Sequence, residues 1–174
     1  MPTTPASYSA PETLRDGRAV EIRALRPDDR AAMVELAGRM SEEAQQLRFF
    51  TPKRGFSEQE IDYYVNVDFV SHVALVAAID DGGAPRLVGG GRYIVATPGS
   101  AEIAFGVDEA CQGQGIASLI LRHLAGIASD AGLRELVAEV LPQNTAMLKV
   151  FQRSGLPMRR RHEGGVVHVS LALF

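Results

Sequence analysis

A strand, a glycine-containing loop and an amphipathic helix follow one another in the middle of the chain, and this succession constrains the fold more than any other stretch. The strand is predicted at Ala101–Val107. Gly113 and Gly115 lie in the loop that follows it. The helix that opens after them has its apolar positions on one face at 3.6-residue spacing, namely Ile116, Leu119, Ile120, Leu124, Ile127 and Ala131. Gly132 is placed to end this helix.

The glycine loop is typical of an anion site. Gly113 and Gly115 lack a Cβ atom, so the chain can turn sharply and a ligand can approach the backbone. The first amides of the following helix have no intrahelical partner, and with the helix dipole they attract phosphate or pyrophosphate. A nucleoside-triphosphate P-loop is excluded because Gly115 is followed by Ile116 and Ala117 instead of Lys and Ser or Thr. A dinucleotide fingerprint is disfavoured because residue 118 is Ser, where a third Gly or Ala is expected.

The composition fits a single domain. With 46% hydrophobic and 22% charged residues, the 174-residue chain predicts one α/β domain with a sizeable core. A net charge of −3 and a pI near 5.8 give no basic footprint for nucleic acid. No apolar run approaches the roughly 18 residues that span a bilayer, and the N-terminus lacks a signal-peptide pattern. The one cysteine, Cys111, allows no intrachain disulfide, so we expect a cytoplasmic protein. From the charge and the lack of a long apolar run, we expect neither nucleic-acid nor membrane partners.

Further strands and helices are predicted before and after the central strand, glycine loop and helix. Residues 1–17 begin with a Pro-, Thr-, Ser- and Ala-rich stretch, which predicts a flexible tail before one domain of residues 18–174. Further helices are predicted after Pro27, after the capping box Ser57–Glu60 and from Asn144 onward. The other predicted strands are Ala19–Leu25, His72–Ile79, Arg86–Ala96, Arg134–Leu141, Arg159–His162 and Val166–Leu173. The third of these contains three consecutive glycines, which predict a bulge or close strand packing.

The pattern Gln112-x-x-Gly115-x-Ala117, behind a strand that ends at Val107, resembles the acyl-coenzyme A signature of the GNAT superfamily of N-acetyltransferases. The order of the predicted elements agrees with this resemblance over nearly all of the chain after its N-terminal tail. The resemblance implies an α/β (α+β) fold with a mixed, mostly antiparallel twisted sheet flanked by helices. It also implies an enzyme with acetyl-coenzyme A as co-substrate. No metal is expected, since the four histidines show no ligand spacing.

The resemblance assigns roles to individual residues. The backbone from Phe105 to Val107 would hydrogen-bond the pantetheine arm as an added strand would, and Asn144 would contact the cofactor near its amides. The pyrophosphate would be held by Gln112, Gly113, Gln114, Gly115, Ile116, Ala117 and Ser118. Phe151, also assigned to the cofactor site, stands where many members have a tyrosine that protonates the leaving thiolate. Gln114 stands where a basic residue is common.

Acetyl transfer to an amine needs a base, because an ammonium group with a pKa near about 10.4 must first lose its proton. Alternation places Glu102 on one strand face with Ala104 and Gly106, so a carboxylate lies beside a trough of small residues. About 13 Å of strand separates Glu102 from Gly106. Glu102 would therefore remove the proton through a water molecule or at the end of a long, lysine-like acceptor. The amide of Gly106 or Val107 would meet the developing oxyanion. The alternative is a solvated surface glutamate, but Ala101–Ala104 resembles the central strand of lysine acetyltransferases with a glutamate base.

A closer resemblance is to the bacterial Pat-type protein acetyltransferases, which modify acyl-coenzyme A synthetases. It rests on Leu47–Phe50, on Asp68 followed by His72–Ala77, and on Ala101–Ala104. It implies an acceptor protein such as an acyl-coenzyme A synthetase, with direct acetyl transfer to lysine in a ternary complex. Two alternatives stay open, a small-molecule amine as the acceptor and a non-catalytic acyl-coenzyme A sensor, the latter suggested by Phe151.

Overall fold

The computed structural model describes residues 5–39 and 57–173, and the described strands form one sheet. The strands are β1 Ser9–Thr13, β2 Ala19–Ala24, β3 His72–Asp81, β4 Ala84–Thr97, β5 Ser100–Val107, β6 Glu135–Val140, β7 Met158–Glu163 and β8 Val166–Ala172. The helices are α1 Arg30–Arg39, α2 Glu58–Val65, α3 Ile116–Asp130 and α4 Thr145–Gln152. The strand order is β1-β2-β3-β4-β5-β6-β8-β7, and within the described sheet only the β5–β6 pair is parallel. The predicted mixed, mostly antiparallel fold is therefore confirmed.

The helix boundaries follow capping signals in the sequence. The Ser57 hydroxyl accepts from the Glu60 amide at 3.1 Å, and the Glu60 carboxylate accepts from the Ser57 amide at 3.2 Å, which completes the capping box of α2. Helix α3 begins directly after Gly115, which has a φ of +86°. It ends at a turn that contains Gly132, also with a φ of +86°. Both values lie in the left-handed region that favours glycine, so the sequence determines both ends of α3.

The first residues differ from the predicted tail over residues 1–17, because β1 lies within this segment and pairs antiparallel with β2. Pro11 obscured the strand in the sequence, since proline usually interrupts a ladder, but β1 is the edge of the sheet and tolerates it. The Tyr8 hydroxyl also hydrogen-bonds His123 in α3, and Nε2 of His123 lies 2.8 Å from a carboxylate oxygen of Glu12. The N-terminal segment is thus attached to both the sheet and α3.

The two faces of the sheet are covered by different helices. Helix α3 packs on one face, where its Ile120 and Leu124 are completely buried; we call this the α3 face. Leu36 of α1 packs on the opposite face, which we call the α1 face, against a smaller cluster. The buried members of that cluster are Leu25, Leu36, Ala74, Val76, Ala78 and Leu87. The sheet is therefore the central layer between two apolar cores.

The consecutive glycines of β4 allow α3 to lie close to the sheet. A Cβ atom on Gly89 would lie 2.6 Å from Cγ2 of Ile116. A Cβ atom on Gly91 would lie 2.6 Å from Cγ2 of Ile120 and 2.7 Å from Cδ1 of Phe105. The register of β3 against β4 also shifts in this stretch. The register thus shifts directly before the glycines, as a bulge does, whereas the close packing is that of helix α3 on the sheet and not the close packing of strands that the sequence predicted.

Two further observations concern the sequence predictions. The motif Leu47–Phe50, on which part of the closer resemblance rests, lies outside the described residues. Within residues 5–39 and 57–173, no helix combines the length and apolar character needed to cross a membrane. The cytoplasmic location and the expected partners stay predictions.

Candidate active site

Strands β5 and β6 pair over a short distance and then separate. Ser100–Glu102 pairs with Glu135–Val137, and the described pairing of these two strands ends there. Strand β5 continues along β4 as far as Val107, and β6 continues along β8 as far as Val140. Each strand therefore has one edge that faces the gap between them. The backbone N–H and C=O groups on these edges are available to a ligand.

A cleft of about 560 Å³ opens between the separated strands. Phe105 of the α3 face and Ala104 of the α1 face both line it, so the cleft reaches both faces of the sheet. All the predicted cofactor-binding residues except Gln114 line this cleft, namely Phe105, Val107, Gln112, Gly113, Gly115, Ile116, Ala117, Ser118, Asn144 and Phe151. The structure therefore brings these residues together around one space of the size usual for small-molecule sites.

One end of the cleft is made by the glycine loop and the first turn of α3. Gly113 has a φ of +85°, a conformation that side chains rarely adopt. No side chain of the described residues caps α3 at Gly115, so the first amides of the helix, at residues 116–118, have no capping partner. These three residues line the cleft. The unpaired amides and the helix dipole make this end suitable for a diphosphate.

Sequence reasoning missed one residue at this end, Arg15, which lines the cleft from the hairpin between β1 and β2. Its Nη1 donates to the carbonyl oxygen of Gly113 at 3.0 Å. Gln114, which was predicted to hold the pyrophosphate, does not line the cleft; its Oε1 accepts from the amide of Asp16 at 3.0 Å. Because the prediction placed Arg15 in a tail, no pattern in the sequence linked it to the glycine loop.

Asn144 and Phe151 come from the wall of the cleft that α4 provides. Oδ1 of Asn144 accepts from the amide of Met147 at 3.2 Å, so this side chain caps α4. Phe151 is 1% exposed, and its ring centroid lies 6.1 Å from that of Phe105. The two rings make an apolar part of the cleft lining.

Glu102 lies where β5 and β6 begin to separate, since it is the last residue of β5 that pairs with β6. Its side chain is exposed, and none of the described residues hydrogen-bonds or ion-pairs with it. It does not itself line the cleft, but Ala104, two residues further on the same face, does. Glu102 is thus a solvent-exposed carboxylate beside the cleft.

The pairing register places Glu102 in a row of residues that crosses the α1 face. The row consists of His72, Ile94, Glu102, Val137, Ser170 and Arg159. Paired residues point to the same face, and neighbouring strands lie about 4.8 Å apart. The Cα atom of His72, two strands away, is therefore about 10 Å from that of Glu102, and the Cα atom of Arg159, three strands away, is about 14 Å from it. Val137 and Ser170 are half-buried and Arg159 is exposed. The α1 face is therefore accessible on the β6–β8–β7 side of Glu102.

A polar cluster lies on the opposite side of Glu102, against α2. Nη1 of Arg92 donates to the carbonyl oxygen of Tyr64 at 3.0 Å and lies 2.9 Å from Nε2 of His72. Because a guanidinium can only donate, Nε2 of His72 accepts and the imidazole is neutral. Burial, followed by the positive charge of Arg92, lowers the pKa of His72 to about 4.

Acid is expected to destabilise the fold through His72. The pKa of this residue is about 4 in the folded chain against 6.5 ordinarily, so between these values the unfolded chain binds the extra proton. The stability contributed by the neutral ring is complete above pH 6.5 and is lost as the pH falls to 4, by at most about 3 kcal/mol. We expect the free energy of unfolding of His72→Gln, measured in urea, to decline less steeply over this range than that of the wild type. An equally steep decline in the wild type and in His72→Gln would contradict a lowered pKa of His72.

A buried carboxylate anchors the chain directly after β5. Asp108 is 2% exposed and accepts from Nε of Arg39 at 2.7 Å and from Nη2 of Arg86 at 3.0 Å. It also accepts from the amide of Ala110 at 2.9 Å. Burial alone would raise the pKa of Asp108, but these donors hold it below its ordinary value. The turn that leads from the cleft edge to the glycine loop is thereby tied to β4 and α1.

Comparisons with known proteins agree with this geometry. The family model described as "Acetyltransferase (GNAT) family" matches residues 39–156. The crystal structure of the GNAT domain of S. lividans PAT is 36% identical with a TM-score of 0.87, over 95% of this chain and 97% of that one. Acetyltransferase PA5475 of Pseudomonas aeruginosa is 31% identical over 137 residues, which are 78% of this chain and 74% of that protein. Acetyltransferase Pat of Mycolicibacterium smegmatis is 26% identical over 159 residues, which are 90% of this chain but only 47% of that longer protein.

Proposed function

This chain belongs to the GNAT family of acetyltransferases, and on that premise we propose that it acetylates lysine side chains of a protein. The proposed donor is acetyl-coenzyme A, and transfer is direct within a ternary complex. The observation that carries the lysine assignment is the position of Glu102, which is exposed at the cleft edge on an accessible part of the α1 face. A lysine is long enough to reach this carboxylate while the protein that carries it stays outside the cleft.

The cleft suits the parts of the proposed donor. The free backbone edge of residues 103–107 can pair with the amides of a pantetheine arm, as a sheet edge pairs with an added strand. The glycine loop and the N-terminus of α3 suit the diphosphate. Asn144 lines the same cleft, and its amide side chain can meet a polar group of the arm. The donor supplies an acetyl thioester, and residues of this chain must remove the proton of the acceptor and stabilise the developing oxyanion.

Glu102 is proposed to remove a proton from the acceptor ammonium. An ordinary lysine has a pKa of about 10.4, so the neutral amine must be generated on the enzyme. An exposed carboxylate can accept this proton directly or through one water molecule. Ala104 and Gly106, on the same face, leave space for the acceptor side chain between the base and the cleft.

Backbone amides of β5 are proposed to stabilise the negative charge that develops on the carbonyl oxygen. Alternate residues of a strand direct their N–H groups to opposite edges, so either Gly106 or Val107 presents its amide to the cleft. Phe105 and Phe151 provide an apolar wall, and such hydrogen bonds are stronger where water is excluded. Phe151 has no hydroxyl, so the thiolate departs without a proton from this position.

An acyl-coenzyme A synthetase is the proposed acceptor. Two observations support it: the resemblance of the sequence to Pat-type enzymes, and the 36% identity with the GNAT domain of S. lividans PAT over 95% of this chain. The test is to incubate the purified chain with acetyl-coenzyme A and a panel of acyl-coenzyme A synthetases, followed by intact mass and peptide mapping. We expect one synthetase to gain a single acetyl group at a defined lysine. Replacement of that lysine by arginine in the synthetase is the matched control and should abolish the gain.

The same assay distinguishes the other candidate functions. Coenzyme A release with small amines, but no gain on any protein, would overturn the protein assignment and identify a small-molecule acetyltransferase. Tight binding of acetyl-coenzyme A without release of free thiol in the presence of any acceptor would identify a sensor.

A further inference from the structure

We propose that Arg15 binds the diphosphate of the acyl donor, and that Gln114 positions the hairpin that carries Arg15. This inference rests on the proposed use of acetyl-coenzyme A. It concerns residues that act outside the glycine signature: Arg15 lies 98 residues before Gly113 in the chain, and the Gln114 side chain faces away from the cleft.

The glycine loop carries no cation of its own. The residue before Gly115 is Gln114, which is neutral, and its carboxamide oxygen is occupied by the amide of Asp16 at 3.0 Å. The carbonyl oxygen of Gln114 also accepts from the amide of Arg15, at 3.3 Å. The side chain and the backbone of Gln114 therefore both hold the hairpin against the loop.

Arg15 brings a positive charge to this place. Its guanidinium is exposed at the cleft and donates to the carbonyl oxygen of Gly113 at 3.0 Å. A Cβ atom on Gly115 would lie 3.4 Å from Nε of Arg15, so the guanidinium is adjacent to the residue that precedes α3. Among the described residues this is the one side-chain hydrogen bond of Arg15, which leaves four of its five N–H donors for a ligand. A guanidinium fork matches the oxygen atoms of phosphate groups.

The hairpin keeps the charge of Arg15 uncompensated. The nearest carboxylate in sequence, Asp16, is engaged by Arg18, whose backbone amide donates at 3.0 Å and whose Nε donates at 2.8 Å. Other cations that line the cleft, Lys149 and Arg153, belong to α4 and its C-terminal end, on the other wall. Within residues 5–39 and 57–173, Arg15 is thus the cation that lines the cleft beside the unpaired amides of α3.

The first experiment measures the dissociation constant of coenzyme A by calorimetry for the wild type and for Arg15→Gln. We expect binding to weaken about 10- to 100-fold, which is the range for loss of a charged hydrogen-bonding partner. Arg161→Gln is the matched control, since it removes an equal charge from an exposed strand residue that does not line the cleft, and its affinity should stay within about twofold of the wild type. Equal affinity in Arg15→Gln and the wild type would overturn the proposal.

The second experiment separates phosphate binding from damage to the fold. S-acetylpantetheine lacks the diphosphate, so kcat/KM with this donor should be the same for Arg15→Gln and the wild type, whereas kcat/KM with acetyl-coenzyme A should fall. Adding Gln114→Ala to the Arg15→Gln variant should cause no further loss of coenzyme A affinity, because Gln114 acts by holding the hairpin that carries Arg15. An equal loss with both donors would contradict a direct role for Arg15, and a further loss in the double variant would contradict the positioning role of Gln114. If the wild type itself failed to bind coenzyme A, the proposed function and not the role of Arg15 would be refuted.

Discussion

Glu102→Gln is expected to lower kcat for lysine acetylation by about 100- to 10,000-fold, the usual contribution of a general base. Glutamine keeps the shape of the side chain but cannot accept the proton of the ammonium group. Because Glu102 does not line the cleft, the dissociation constant of coenzyme A should not change. The loss should become smaller as the pH rises toward the pKa of lysine, since more of the acceptor is then neutral. Initial rates between pH 7 and pH 10 on an identified acceptor, with calorimetry of coenzyme A binding, check these expectations.

The control for this variant is Glu163→Gln. Glu163 is also an exposed strand carboxylate, but it lies at the far edge of the sheet and pairs with Arg161 at 3.1 Å. Its removal should leave kcat and coenzyme A affinity near wild-type values. If Glu102→Gln kept kcat within about twofold of the wild type, Glu102 would be an ordinary solvated group and another residue or water would have to take the proton.

Gly91→Ala is expected to lower the free energy of unfolding by about 2–3 kcal/mol, as overpacking of a well-packed core does. The new methyl group would lie 2.6 Å from Cγ2 of Ile120 and 2.7 Å from Cδ1 of Phe105. Both neighbours belong to the main core, so α3 or β5 must move to make room. Since Phe105 also lines the cleft, weaker coenzyme A binding should accompany the loss. Urea denaturation and calorimetry measure the two effects.

Gly90→Ala provides a matched comparison in the adjacent residue, whose Cβ would point to the opposite face. Its nearest neighbour would be the carbonyl oxygen of Leu75 at 3.5 Å, an ordinary contact. We expect a change of less than about 1 kcal/mol, with some gain from the lower entropy of the unfolded chain. Similar losses in both variants would show that the cause is the strand backbone and not the approach of α3.

Most of the fold was predictable because its signals are local. The helical periodicity from Ile116 onward, the capping box at Ser57 and the glycine at position 132 all depend on residues a few positions apart, and each lies where the sequence predicted it. The glycine loop, together with the order of the elements, also predicted the family, which the family model confirms.

What the sequence did not reveal depends on contacts between distant residues. Strand β1 contains Pro11, and only its place at the sheet edge makes that residue acceptable. Arg15 and Gly113 are 98 residues apart, and no local pattern predicts that they meet. The orientation of Gln114 depends on another contact with the same hairpin, the amide of Asp16. The base role of Glu102 stays a prediction, because its position permits the chemistry and only a rate can establish it.

The short pairing of β5 with β6 divides the molecule into two lobes. Three residue pairs join the two parts of the sheet, the amides of Arg134 and Glu135 both donate to the carbonyl oxygen of Gly99, and apolar side chains, whose packing has no directional preference, lie between the two parts. Small sliding movements between the lobes therefore break few hydrogen bonds. A donor whose arm hydrogen-bonds to both free strand edges would connect the two lobes and restrict their movement. The enzyme would therefore be most rigid when the donor is bound and an acceptor can enter.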